Sequence, residues 1–143
     1  MAWLVDGSNV LGAQGADLHA VEAKRELTRL LVTFGRARRI RLTCFFDGQE
    51  PANFGRHLGG VTVVFSGRQT ADDLIAEQAA KARDAKVVTS DRGLTARVAS
   101  RRVEVIDARR FLRELAAVRP EAEAGSENDW LEWFADPKNQ GKF

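Results

Sequence analysis

The chain has 143 residues, of which 44% are hydrophobic and 29% charged, and its composition is ordinary for one globular domain with a real core. No apolar run reaches membrane-spanning length, and the first residues lack the basic and small-residue features of a signal peptide. The lone Cys44 cannot form an internal disulfide and is expected to be a buried structural thiol. We therefore expect a protein of the reducing cytoplasm with no membrane partner.

The net charge of +2 conceals an asymmetry between the body of the chain and its C-terminal end. Residues 1–120 carry 20 Lys+Arg against 14 Asp+Glu, a net charge of +6, whereas residues 121–143 carry 2 against 6, a net charge of −4. Most of the basic residues are arginines, whose planar fork suits phosphate. The basic body favours a polyanionic partner, although an excess of arginine can equally reflect genome base composition.

Strand and helix patterns alternate along the chain. Continuous apolar runs predict buried strands at Ala2–Val5, Ile40–Phe46, Val61–Phe65, Lys86–Thr89 and Val103–Ile106. Helical spacing predicts helices at Leu18–Phe34, from Thr70 to about Ala85, at Leu94–Ala99 and at Ala108–Val118. Asp17 and Thr70 are expected to cap the first two helices, Gly35 to end the first, and residues 49–60 to form a loop. The alternation predicts a three-layer α/β domain with a central, mostly parallel sheet of about five strands flanked by helices.

We expect this domain to occupy residues 1–119 and an acidic, aromatic C-terminal tail to occupy residues 120–143. In the tail, Ser126–Asp129 resembles a capping box. A short helix after it would carry the apolar residues Trp130, Leu131, Trp133 and Phe134. The sequence leaves three roles open for this helix: packing on the sheet, docking a partner, or lying over the basic body.

Acidic residues recur where strands end and helices begin. Asp6, Asp47 and Asp91 follow strand patterns, and the Asp72-Asp73 pair starts the helix after the third strand. Each could serve only as a turn or helix-start residue, but that reading does not predict that all of them share one edge of the sheet. Repelling carboxylates are usually held together by a hard divalent cation. We therefore expect a Mg²⁺ or Mn²⁺ site with these five aspartates as candidate ligands.

Neutral and basic residues beside the acidic positions are candidates for contact with phosphate. They are Ser8, Asn9, Thr89, Ser90, Arg68 and Arg92. The run of Arg36, Arg38 and Arg39 could also meet a nucleic acid, although short charge runs are usually solvated surface. Neither His19 nor His57 belongs to a partner motif, and we expect no catalytic role for either.

Four motifs together resemble a known family. They are Asp6-Gly7-Ser8-Asn9-Val10, Phe46-Asp47-Gly48, Thr70-Ala71-Asp72-Asp73-Leu74-Ile75 and Val87-Val88-Thr89-Ser90-Asp91. In this order, within residues 2 to about 115, they resemble the YacP-like NYN-domain ribonucleases, relatives of the PIN-domain nucleases. The resemblance implies a PIN-like sheet, dependence on divalent metal and endonucleolytic cleavage of RNA. It also implies that the ribosome is a candidate partner besides RNA.

The resemblance also assigns roles to individual residues. It implies that Asp6, Asp47, Asp72 and Asp91 are metal ligands and catalytic acids, and that Asn9 accompanies Asp6. Asp73 falls where the family often carries a second acid and PIN proteins often carry none. Ser8 stands where an aromatic residue is often found.

Three other kinds of protein also carry acids on an α/β sheet. A receiver domain needs paired acids after its first strand, where Asp6 stands alone, and a haloacid-dehalogenase phosphatase needs a second Asp at the position of Ser8. A catalytically weak NYN domain that binds RNA or ribosomes as an adaptor is the remaining alternative to a nuclease. The oligomeric state is not determined by the sequence.

Overall fold

The computed structural model describes residues 1–118, so the predicted tail with its capping box and aromatic helix lies outside the described residues. The strands are β1 (Ala2–Asp6), β2 (Leu42–Phe46), β3 (His57–Leu58), β4 (Val61–Phe65), β5 (Ala85–Val88) and β6 (Val103–Ile106). The helices are α1 (Gly7–Gln14), α2 (Val21–Arg38), α3 (Ala71–Lys81), α4 (Arg92–Val98) and α5 (Ala108–Ala117). Among the described residues, no helix is both long and apolar enough to cross a membrane.

The six strands form one sheet in the order β3-β4-β2-β1-β5-β6. All neighbours pair in parallel except β3 and β4, which are antiparallel. One apolar layer joins α1, α2 and α5 to a face of the sheet, and a second joins α3 and α4 to the other face. The predicted three-layer α/β fold with five mainly parallel strands is confirmed, and β3 adds a short sixth strand within the predicted loop.

Two helices differ from the sequence-based prediction at the start of the chain. Helix α1 was not predicted, because it has too few apolar residues at helical spacing; the Asp6 side chain caps it. Helix α2 begins after Ala20 instead of Asp17, whose carboxylate accepts the N–H of His19 in a turn. Gly35 does not end α2. It lies where a Cβ would approach the carbonyl oxygen of Ile40 to 2.9 Å, so close packing requires glycine inside the helix.

The remaining boundaries differ by a few residues. Helix α3 ends at Lys81 rather than near Ala85, because the backbone becomes extended at Ala82 and leads into β5. Helix α4 begins two residues before its predicted start, since Asp91 caps it. Thr70 caps α3 as predicted, accepting the N–H of Asp73 at 3.1 Å. These caps all belong to helices that begin at the carboxyl-terminal edge of the parallel strands.

Candidate metal and RNA site

Four of the predicted acidic residues lie along the carboxyl-terminal edge of the sheet. Asp6 is the last residue of β1, Asp47 follows β2 directly, and Asp91 stands three residues beyond β5. Asp72 is in the first turn of α3, which follows β4. Their charges act on one another: Asp72 and Asp47 affect the pKa of Asp6, and Asp91 and Asp47 affect that of Asp72. The structure therefore brings the four residues into one negative region, named the acidic edge below.

Asp6 is the most buried member of the acidic edge, with a residue exposure of 3%. Burial raises its pKa to about 6, and the nearby charges of Asp72 and Asp47 act in the same direction. Two hydrogen bonds act in the opposite direction. The Thr89 hydroxyl donates to Asp6 Oδ2 at 3.0 Å, and the N–H of Asn9 donates to Oδ1 at 3.3 Å. The charged form of Asp6 is held in place but poorly solvated, as expected for a functional carboxylate.

The other three members are more open to solvent. Asp47 Oδ1 accepts the N–H of Ala71 at 2.8 Å, which ties the end of β2 to the start of α3. Asp91 Oδ1 accepts the N–H of Leu94 at 2.9 Å and so caps α4. Partial burial, followed by the charges of Asp91 and Asp47, raises the pKa of Asp72. Each of these hydrogen bonds uses one carboxylate oxygen and leaves the second oxygen for another ligand.

Asp73 differs from its neighbour Asp72. Its carboxylate is exposed and accepts a hydrogen bond from the Arg97 guanidinium at 2.9 Å. This hydrogen bond and the one with Thr70 lower the pKa of Asp73. Through Arg97, the structure therefore links Asp73 to α4. Within residues 1–118, Asp73 makes no hydrogen bond with Asp6.

The acidic edge fits a divalent cation in its chemistry, because its ligands are carboxylate oxygens beside a solvent-open surface. Burial is the main cause of the raised pKa values of Asp6 and Asp72, and the neighbouring carboxylates raise them further. Within residues 1–118, however, no three His, Cys, Asp or Glu side chains lie close enough together to hold a metal ion.

The four neutral candidates for phosphate contact serve different purposes. Ser8 Oγ accepts the N–H of Asp47 at 3.1 Å, and Asn9 Oδ1 accepts the N–H of Ser90 at 2.7 Å. Thr89, which is 1% exposed, donates to Asp6 and accepts the N–H of Asp91 at 3.1 Å. These bonds connect the ends of β1, β2 and β5. Within residues 1–118, Asn9 makes its side-chain hydrogen bond through the oxygen alone, so its side-chain N–H groups are not used by the protein there.

The Ser90 hydroxyl binds Asp107, a residue that was not among the predicted site residues, and the backbone of Ala108. It donates to Asp107 Oδ1 at 2.6 Å and accepts the N–H of Ala108 at 2.9 Å. Asp107 directly follows β6 and caps α5. An aspartate directly after a strand was the signal used for Asp6 and Asp47, so the same signal was present at Asp107. Through its bond with Ser90, Asp107 joins α5 to the acidic edge, but it is not one of the four aspartates of that edge.

A buried lysine near the ends of β2 and β4 was also missed. Lys24 is 8% exposed, and its ammonium lies 6.0 Å from the ring centre of Phe46 and 5.8 Å from that of Phe65. The two rings belong to the last residues of β2 and β4. The available signal was a lysine at a position that the helical pattern of α2 assigns to the core.

The predicted arginines separate into two groups. Arg68 follows β4 and Arg92 opens α4, so both are exposed near the acidic edge. Arg36 and Arg38 end α2, and Arg39 precedes β2, which puts them near the amino-terminal edge of the sheet. The guanidinium of Arg38 stacks on Phe34 at 5.2 Å. Arg68 and Arg92 are therefore better placed than residues 36–39 to contact a phosphate at the acidic edge.

Similarity to known proteins agrees with this geometry. The model of the YacP-like NYN domain matches residues 3–135 and so extends into the predicted tail. A crystal structure of Rae1 (YacP) from Bacillus subtilis is 25% identical over 94% of this chain and 82% of that chain, with a TM-score of 0.69. A mutant of the same protein is 28% identical over 80% and 75%, with a TM-score of 0.65. No curated protein matches the chain.

Proposed function

The chain belongs to the YacP-like NYN domain family, and we propose that it is a divalent-metal-dependent endoribonuclease that hydrolyses phosphodiester bonds in RNA. The observation that carries this proposal is the acidic edge, where four carboxylates influence one another electrostatically at the ends of parallel strands. Ligand sites of open α/β sheets lie at this edge. Family membership supports a nuclease-like domain related to RNA, and the acidic edge supports the dependence on metal.

Asp6, Asp72 and Asp91 are the residues we assign to hold Mg²⁺ or Mn²⁺, with Asp47 as a fourth ligand. When bound, such an ion supplies an activated water and neutralises charge that develops on the phosphate. Thr89 orients Asp6 and stabilises the charged form of the Asp6 carboxylate, because the Thr89 hydroxyl donates a hydrogen bond to it. Asp73 is assigned a supporting role, since its carboxylate is already paired with Arg97.

The protein contributes position as well as ligands. Asn9 uses its side-chain oxygen to bind the Ser90 N–H, which directs its amide N–H groups away from that bond. We assign these N–H groups to a phosphate oxygen of the bound RNA. Ser8 and Ser90 act through the backbone of the acidic edge, and Arg68 and Arg92 supply positive charge beside it. The net charge of +6 over residues 1–120 supports attraction of a polyanion.

One observation favours the second candidate function, an RNA- or ribosome-binding adaptor with weak catalysis. The described side chains do not form a closed group of three metal ligands. An adaptor would bind RNA or ribosomes without needing metal, and cosedimentation with ribosomes would occur equally with and without EDTA. The acidic edge itself argues for the nuclease, because a purely basic surface would bind RNA better than one that carries four carboxylates.

The test is cleavage of an end-labelled RNA by the purified protein in Mn²⁺, in Mg²⁺ and in excess EDTA. We expect internal cleavage with metal and none in EDTA. The variants Asp6→Asn and Asp91→Asn should abolish cleavage while retaining most of the RNA affinity. Asp84→Asn is a matched control, because Asp84 lies just before β5 at the opposite edge of the sheet. Full activity in EDTA, or unchanged cleavage by both edge variants, would refute the proposal.

A further inference from the structure

Three arginines occupy the first turns of two helices that begin at the acidic edge. Arg92 is the first residue of α4, and Arg109 and Arg110 are the second and third residues of α5. All three side chains are exposed. Within residues 1–118, none of them takes part in an ion pair. Arg92, Arg109 and Arg110 are named the basic arc below, and they lie beside the acidic edge without being neutralised by it.

Hydrogen bonds fix the two helix starts next to each other. The Ser90 hydroxyl donates to the Asp107 carboxylate at 2.6 Å and accepts the N–H of Ala108 at 2.9 Å. Ser90 and Asp91 immediately precede Arg92, and Asp107 and Ala108 immediately precede Arg109. The three arginines therefore lie on adjoining backbone segments. One of these segments also carries the candidate metal ligand Asp91.

The location of these arginines is electrostatically unfavourable for the isolated protein. The first turn of a helix bears partial positive charge and favours acidic side chains. Helix α3 follows this rule with Asp72 and Asp73, whereas neither α4 nor α5 has an acidic residue in its first turn. The capping aspartates offset part of the positive charge. The first N–H groups of α5 are already bound by Ser90 and Asp107, so a bound anion would be attracted by the guanidinium groups themselves.

We propose that the basic arc binds the sugar–phosphate backbone of single-stranded RNA next to the phosphate that is cleaved. This inference rests on the proposed nuclease function and names the surface that holds its substrate. Arginine forks bind phosphate oxygens in pairs and do not read bases, so binding through the arc is tolerant of sequence. Three side chains on two adjoining turns match a few consecutive phosphates of a flexible strand, whereas double-stranded RNA is typically bound over a longer span.

The experiment compares two charge-matched triple variants for binding to a labelled oligouridylate in EDTA. One is Arg92→Gln/Arg109→Gln/Arg110→Gln. The control is Arg41→Gln/Arg83→Gln/Arg101→Gln, which removes three exposed arginines that lie before β2, β5 and β6 at the opposite edge. Affinity is measured across a series of salt concentrations around the physiological value. Because metal is absent, the readout does not depend on cleavage.

Each lost contact with single-stranded RNA should reduce the slope of log K against log salt by about 0.7. We expect the arc variant to lose about 2 in slope and on the order of 100-fold in affinity at about 0.1 M salt. The control should retain nearly the wild-type slope. If the arc triple variant fails to fold, Arg109→Gln and Arg110→Gln are tested singly, each with an expected slope change of about 0.7.

The outcomes separate this inference from the proposed function. If the wild-type protein cleaves RNA but the arc variants keep its affinity and slope, the basic arc is not a binding surface and the nuclease proposal stands. Equal losses in the arc and control variants would also overturn the inference, since they would show only an effect of net charge. Tighter binding to duplex than to single-stranded RNA would contradict the assigned substrate. A wild-type protein that binds single-stranded RNA without cleaving it would refute the nuclease alone.

Discussion

Replacement of Asp6 by asparagine should stabilise the protein at neutral pH while it abolishes cleavage. Asp6 is 3% exposed, and burial raises its pKa from 3.8 to about 6. The folded protein therefore binds a proton at Asp6 that the unfolded chain releases between these pH values. Stability contributed by this residue falls as the pH rises from 3.8 to about 6, and the penalty is complete above that range. A neutral asparagine side chain at this position cannot carry the charge and escapes the penalty.

The magnitude follows from the size of the pKa change. One pKa unit corresponds to about 1.4 kcal/mol, so a rise from 3.8 to about 6 corresponds to about 3 kcal/mol at neutral pH. Asparagine has one acceptor oxygen where aspartate offers two, so one of the bonds from Thr89 and Asn9 must be rearranged at a cost of about 1 kcal/mol. The net gain at about pH 7.5 should be about 2 kcal/mol. Near pH 4 the penalty vanishes, and the variant should be less stable by about 1 kcal/mol.

Urea unfolding of both proteins in EDTA, at intervals from about pH 4 to about pH 8, measures this difference. The control is Asp84→Asn, whose exposed carboxylate pairs with the N-terminal amine, and its effect should stay below about 1 kcal/mol at each pH. A destabilising effect of Asp6→Asn at neutral pH, or a difference that does not change with pH, would refute the reasoning.

Three further substitutions test contacts around the acidic edge. Thr89→Val leaves Asp6 without its hydroxyl donor, so the pH profile of cleavage should move to higher pH while Thr89→Ser retains the wild-type profile; identical profiles would contradict this. Gly7→Ala places a Cβ 2.6 Å from the Phe46 ring and should lower the free energy of unfolding by about 1–3 kcal/mol, measured with urea. Ser90→Ala removes the link to α5 and should cost about 1 kcal/mol while leaving detectable cleavage; complete loss of cleavage would show a direct role in chemistry.

The sequence predicted the sheet well because its strands are short continuous apolar runs. The strands β4 and β6 were found at their observed bounds because each is a short run rich in β-branched residues. Helix α1 could not be found in the same way, since its stability depends on capping by Asp6 and packing against its neighbours. The close approach of Gly35 to Ile40, which explains a glycine inside α2, is known only once the fold is formed.

In the candidate site, too, some features could be predicted from the sequence and others depend on contacts that only the fold provides. The gathering of Asp6, Asp47, Asp72 and Asp91 on one edge follows from parallel topology, which the alternating pattern already predicts. The separate status of Asp73 depends on an ion pair with Arg97 from another helix. Likewise, sequence could suggest that Ser90 offers a hydroxyl, but the structure shows that Asp107 uses it. Pairings between side chains on different elements cannot be obtained from spacing along the chain.

The most direct test of the acidic edge is anomalous diffraction from crystals of the wild-type protein soaked in Mn²⁺. We expect at least one strong Mn²⁺ peak within coordination distance of Asp6, Asp72 and Asp91, and its loss in crystals of Asp6→Asn. Ordered carboxylates without a Mn²⁺ peak among them, at a concentration that supports RNA cleavage, would contradict the assignment of this edge as the metal site.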